Sequence, residues 1–305
     1  MADLALLVLT ILWGTTFQLV KDVLAGATPG VFLAARFGTA AAVLAVVAFA
    51  RRETPGPGFA RHALLLGAFM TAGFVLQTIG LRYTTAARSG FLTGLSVLMV
   101  PFLSRFLTGR RVRLSSWAGV LLAVAGLAVL TRPFDDVSAP VRLGDALTVG
   151  CAVAFALQIV FTSEWSARHP LVPLTLAQVA VGFAGGALLA AAEGPALPID
   201  GAARFAATVA FTGVAMTAAA FLVMNWAQRR TSAVRAALIF SLEPVGAALF
   251  AHFYGGEPLS ASDWTGGALI VLAVAVGELG AAMAAERPSV PGSPRSARGG
   301  PRPGP

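Results

Sequence analysis

The sequence predicts an all-α integral membrane protein: ten transmembrane helices arranged as two inverted five-helix repeats. Three observations carry that prediction. The chain is 57% hydrophobic and only 12% charged, where roughly a quarter of a soluble domain's residues carry charge. Apolar runs of 18 or more residues recur along it, each long enough to cross a hydrocarbon core of about 30 Å. The first half of the chain also matches the second at a constant offset of 147 residues.

Read against their Gly, Pro and charged punctuation, the apolar runs place spans at about 3–22, 30–50, 62–81, 87–107, 114–131, 143–163, 172–192, 203–227, 232–254 and 260–283. Within lipid every backbone N–H and C=O must be paired internally, and runs of this length lack the alternation of a membrane β-barrel, so the spans are helices. "AGA" at 25–27 resembles a signal cleavage site. The segment before it has no positive charge and too long an apolar core, so it is retained as the first span. The single cysteine, Cys151, allows no internal disulfide and no Cys-based zinc site. His62, His169 and His252 are far apart in sequence and near span ends, where a solvated or interfacial imidazole is expected.

Lys and Arg collect on the cytoplasmic side of a membrane. With the N-terminus inside, that side takes Arg51, Arg52, Arg61, Arg105, Arg110, Arg111, Arg113, Arg168, Arg229, Arg230, Arg235 and the tail arginines. The outside takes only Lys21, Arg82, Arg88, Arg132, Arg142 and Arg204. Both termini are therefore expected in the cytoplasm and the protein in the cell (inner) membrane. Charge sorted by side is an orientation signal, and no aromatic-interleaved basic face points to nucleic acid. The Pro-, Gly- and Arg-rich tail, 286–305, cannot bury a core and is expected to be disordered.

The offset of 147 places Phe74 on Phe221, Arg82 on Arg229, Thr85 on Ser232, Arg88 on Arg235, Leu95 on Leu242, Trp117 on Trp264 and Gly119 on Gly266. A tandem duplication explains so many unlike matches, dividing the chain into 1–139, 140–285 and the tail. Five spans per repeat is odd, so the copies must be inverted. The loop between spans four and five accordingly carries Arg110, Arg111 and Arg113, while its counterpart carries Glu257 and Asp263. Inverted repeats are the architecture of secondary transporters, with a site near the midplane.

The chain resembles the EamA-like family of the drug/metabolite transporter superfamily. The resemblance lies in "LWGTTF" at 12–17, "FLAARF" at 32–37, "IGLRYTTAARSGFLTGL" at 79–95, "SSWAGVLLAVAGLAVL" at 115–130 and "SLEPVGAALFAHFYGGEPLSASDWTGGALIVL" at 241–272, and it covers essentially residues 3–283. It implies ten helices in a five-plus-five inverted arrangement and a central cavity lined by helices one to four and six to nine. The implied activity is transport of amino acids and other small metabolites. Such proteins often carry Pro at the first-half position equivalent to Pro244. Here that position is Val97, with Pro101 a turn later, which predicts a bend in helix four at a different depth. Pro244 and Pro101 are the candidate hinges.

Of fourteen acids only Glu243 lies near the middle of a span. An ionised carboxylate there costs several kcal/mol unless paired, hydrated or protonated. It reads either as a proton-coupling or amine-binding group or as a structural partner of an arginine. Arg36, two turns inside the second span, suits a substrate carboxylate or snorkels roughly 10 Å to the interface. Trp13 and Phe17 share a helix face with Thr16 beside them, as a cavity wall or as packing. Gln77, Thr78, Gln158, Gln178 and Asn225 are the remaining deep polar groups, each plausible as interhelical glue and together as a polar cavity. Gly119, Ala123 and Gly126, with Gly266 and Gly267, suit close helix packing within the fold or a homodimer.

The sequence thus points to a secondary transporter in the lipid bilayer, moving a small-molecule substrate such as an amino acid, as an exporter and with proton coupling, without cofactor, ATP or metal. The alternatives are a multidrug or amine efflux carrier and an intramembrane lipid-modifying enzyme. The enzyme would need a paired acid, a nucleophile with a base, or a metal site at one depth.

Overall fold

Helices account for the ordered secondary structure of the computed structural model, which describes residues 1–110, 112–131, 139–194, 201–255 and 258–285. The predicted tail and the loop charges Arg111, Arg132 and Glu257 lie outside the described residues.

The elements are α1 (Ala2–Gly14), α2 (Thr16–Val23), α3 (Pro29–Arg51), α4 (Phe59–Leu81), α5 (Ala86–Gly94), α6 (Ser96–Thr108), α7 (Leu114–Thr131), α8 (Ala139–Trp165), α9 (Leu171–Glu193), α10 (Ala202–Ala210), a π-helix (Phe211–Ala219), α11 (Ala220–Gln228), α12 (Ala233–Phe240), α13 (Glu243–Gly255) and α14 (Ala261–Ala285). Among the described residues eight helical stretches are long and apolar enough to cross a membrane, and two more, Leu114–Leu130 and Ala261–Gly277, are apolar but shorter. The protein is a multi-pass helical membrane protein.

Small residues set the helix pairs. A Cβ on Gly126 would meet the Gly266 carbonyl at 2.9 Å, and one on Gly119 would meet the Ala273 carbonyl at 2.8 Å, so α7 and α14 touch backbone to backbone. The predicted small-residue faces of these two helices are therefore used inside the chain. Gly186 admits the Leu33–Ala34 backbone between α9 and α3, and Gly80 packs on Gly144 between α4 and α8. Close approach of this kind drives helix association in lipid, where burial of apolar surface supplies little.

Three spans are interrupted, at Thr15, at Leu95 and at Ser241–Leu242. Pro244 explains the last, because it has no N–H for the Phe240 carbonyl, and α12 ends at Phe240. Hydroxyls bond back three residues there and at the first break: Ser241 Oγ donates to the Leu238 carbonyl at 2.6 Å and Thr15 Oγ1 to that of Leu12 at 2.7 Å. The expectation of a bend displaced to Pro101 is corrected. Pro101 lies inside α6, and the break falls at Leu95, which the 147-residue offset places on Leu242.

Candidate functional site

The broken α1/α2 and α12/α13 meet where two glycines let main chains cross. A Cβ on Gly14 would press into the Glu243 carbonyl, and one on Gly246 would lie 2.5 Å from the Ile11 carbonyl. This crossing holds the start of α13, and with it Glu243, at the cavity that Trp13 and Thr16 also line.

Around it lies a cavity of about 80 Å³, lined by residues of α1, α2, α3, α4, α5, α6, α8, α11, α12 and α13. Its polar groups include Thr16, Arg36, Gln77, Gln158, Ser241 and Glu243, and its aromatic walls are Trp13, Phe74, Phe155, Phe221 and Phe240. The rings interlock, with Trp13 centred 5.9 Å from Phe221 and 5.7 Å from Phe240, and Phe74 edge-on to Phe155 at 5.3 Å. Offset and edge-to-face contacts of this kind stiffen an apolar wall.

Arg36 is only 4% exposed, which overturns the snorkelling reading. Its Nε donates to Thr217 Oγ1 at 2.8 Å and its Nη2 to the Met216 carbonyl at 3.4 Å, while its guanidinium lies 4.5 Å from the Phe74 ring centre. Trp13 Nε1 donates to the same Met216 carbonyl at 3.0 Å. The acceptors come from the π-helix, where Thr217 Oγ1 donates five residues back to Thr212 at 2.8 Å. Single π segments recur at functional sites because they redirect backbone carbonyls. Gly213 seats this one, since a Cβ there would be 2.9 Å from the Arg36 carbonyl.

Glu243 faces the cavity only partly buried. Among the described residues no ion pair within bonding distance joins it to Arg36, although each feels the other's charge. The cavity thus presents the Glu243 carboxyl and a positioned Arg36 guanidinium as two separate polar groups. Replacing Arg36 with lysine keeps the charge but loses the fork to Thr217 and Met216. We expect Arg36→Lys to express normally and to raise the KM for solute uptake about tenfold, the loss of one charged hydrogen bond.

Of the predicted site residues, Trp13, Thr16, Arg36, Gln77, Gln158 and Glu243 line this cavity. Phe17, Thr78, Gln178 and Asn225 are buried and do not line it. Gln77 is held by Thr93, its Nε2 donating at 3.1 Å, and Asn225 Nδ2 donates to Thr175 Oγ1 at 2.9 Å, the interhelical role foreseen for such amides. Phe74, Phe155, Phe221, Phe240 and the π-helix were not legible as site features, because aromatics in an apolar run look alike whether they face lipid or cavity. The offset pairing of Phe74 with Phe221 was the available signal.

A second, polar basin of about 720 Å³ lies beyond the cavity, lined by Arg110, Arg113, Glu164, Gln228, Arg229 and Arg235 among others. Near it the structure brings together two histidines that are distant in sequence. His62 Nδ1 and His169 Nε2 are 2.8 Å apart, and His62 stacks on Trp165 at 4.5 Å. Burial, then the charges of Arg168 and Arg229, push the His169 imidazole below its ordinary range. The unfolded chain takes up this proton near pH 6.5, and the folded chain only at lower pH. Stability from the neutral ring is therefore complete above that value and is lost as pH falls through it. In detergent, Tm should drop as pH falls below about 6.5, and His169→Gln should flatten that slope.

The chain matches the EamA-like transporter family over residues 1–132 and 142–276. An uncharacterized transporter of Archaeoglobus fulgidus is 30% identical over 275 residues, covering 90% of this chain and 85% of its own length. Human solute carrier family 35 member F6 is 30% identical over 109 residues, 33% of this chain and 29% of its own. A crystal structure of a protein 23% identical superposes with a TM-score of 0.76 over 92% of this chain and 98% of that one, which shows a shared fold.

Proposed function

The chain belongs to the EamA-like transporter family, and from that premise we propose that it is a secondary transporter exporting small zwitterionic metabolites such as amino acids by alternating access. In this reading ten helices form two inverted repeats, the termini face the cytoplasm, and the protein sits in the cell membrane. The observation that carries the substrate reading is the cavity that presents Glu243 and Arg36 as unjoined ligands: a carboxylate for an ammonium group and a guanidinium for a carboxylate. Its volume of about 80 Å³ favours a small solute. Proton coupling is the proposed energy source, with Glu243 as the carrier of the proton.

The aromatic walls favour one second reading, efflux of small amines, because a cation is attracted to ring faces. The test is uptake of pooled labelled amino acids and of small amines into proteoliposomes, with and without a pH gradient. Gradient-driven uptake of amino acids supports the zwitterion reading; uptake confined to amines replaces it with the second; uptake of neither contradicts both.

A further inference from the structure

We propose that two ion pairs, Arg88–Asp145 and Arg235–Asp3, are alternating latches of the transport cycle, one at each end of the bundle; this rests on the carrier reading above. Arg88 and Arg235 hold the same place in the two halves, 147 residues apart. Their surroundings match. Thr85 and Ser232 are both extended residues ahead of a helix, and their hydroxyls accept the N–H of Arg88 at 3.1 Å and of Arg235 at 3.3 Å. Such caps fix the first turn, so each arginine leaves its helix at the same position. The partners match as well: Asp3 lies at the start of α1 and Asp145 near the start of α8, the opening helices of the two halves.

The pairs lie far apart. Arg235 lines the polar basin together with Glu164, and Glu164 and Asp145 are at opposite ends of α8, separated by roughly 28 Å at 1.5 Å per residue.

They are also unequally engaged. Arg88 Nε donates to both Asp145 oxygens at 2.8 and 2.9 Å and Nη2 donates to Oδ2 at 2.7 Å, with the two side chains 12% and 20% exposed. Thr84 Oγ1 adds a bond to Asp145 at 3.4 Å, and Lys21 Nζ donates to the Thr84 carbonyl at 2.6 Å, tying α2 into the cluster. At the other end Arg235 Nη2 meets Asp3 Oδ2 at 2.9 Å, with side chains 36% and 37% exposed beside the basin. Asp3 Oδ1 and the hydroxyl of Thr231, the counterpart of Thr84 at the same offset, have no hydrogen-bond partner among the described residues. The second cluster thus holds the counterparts of Thr84 and Arg88 beside an aspartate of the opening helix, with a more exposed ion pair. A bidentate, shielded guanidinium–carboxylate pair is stronger than a more exposed one. With the shielded bidentate pair at one end and the basin of about 720 Å³ at the other, the structure is shut at the Arg88 end and open at the Arg235 end, and exchanging which latch is engaged would exchange which side reaches the cavity.

The test places a reporter cysteine at Ile159, on the cavity wall, in a Cys151→Ala background. A membrane-impermeant maleimide is then applied to either face of oriented vesicles. The unaltered latches should give labelling mainly from the Arg235 face. Asp145→Asn should move labelling toward the Arg88 face, changing the ratio of rates about tenfold, and the swap Arg88→Asp/Asp145→Arg should restore the original sidedness. Asp3→Asn, an independent variant at the other end, should bias labelling further toward the Arg235 face. Sidedness unchanged by Asp145→Asn and Asp3→Asn overturns the latches while leaving the carrier intact. Equal labelling rates from the two faces before any latch is altered overturn the assignment of the closed end to Arg88–Asp145, and the latches with it, while leaving the carrier reading intact.

Discussion

Glu243→Gln is expected to cut pH-gradient-driven transport by about one to two orders of magnitude while leaving the protein folded. The carboxylate faces the cavity and accepts no hydrogen bond from the described residues. Removing its charge therefore breaks no structural contact and relieves the cost of a membrane-embedded anion. What is lost is the acid that the proposed function assigns to an ammonium group or a proton. A charge-assisted hydrogen bond of about 1.5–3 kcal/mol predicts a loss of 10- to 100-fold in kcat/KM. Uptake across a pH range in proteoliposomes, beside Tm in detergent, separates the outcomes. Transport with its pH dependence intact would make Glu243 structural and leave Arg36 as the principal charged ligand.

Gly246→Leu removes both transport and stability. A Cβ at this position already lies 2.5 Å from the Ile11 carbonyl, 2.9 Å from its Cα and 3.1 Å from its carbonyl carbon. Every one of these neighbours is main chain, so no side-chain rotation relieves the clash. Overpacking in a tight core costs about 1–3 kcal/mol, and a branched side chain against a crossing backbone belongs at or beyond the top of that range. The crossing also sets the depth of Glu243, so residual folded protein should transport poorly. Gly267→Leu is the matched control, since a Cβ there meets its nearest neighbours at 3.8 and 3.9 Å, all of them side-chain atoms. Lower Tm and lost uptake for Gly246→Leu but not for Gly267→Leu is the expected pattern, read by fluorescence size-exclusion melting and uptake.

Much of this was legible in the sequence for physical reasons. Spans could be placed because lipid forces long apolar helices, and Glu243 and Arg36 stood out because charge at that depth is expensive. Cys151 is buried without a disulfide, as a single thiol must be. The rest depended on packing. The π-helix at Phe211–Ala219 is fixed by Gly213 against Arg36 and by Thr217 bonding back to Thr212, contacts between helices that periodicity does not encode. The break at Leu95 has no proline to announce it, and Pro101, which does announce one, sits in an unbroken stretch of α6. The ion pairs Arg88–Asp145 and Arg235–Asp3 span separations in the chain that no local pattern reveals.

The central claim, a carrier that exposes one solute site to alternate sides, is tested most directly by counterflow. Proteoliposomes preloaded with an excess of an unlabelled amino acid are diluted into a trace of the same amino acid, labelled. A carrier exchanging solute at a single site predicts transient accumulation of label above its equilibrium level, reduced by Glu243→Gln and by Arg36→Lys. Label that rises only to equilibrium, with no overshoot, would contradict alternating access and identify an open pathway instead.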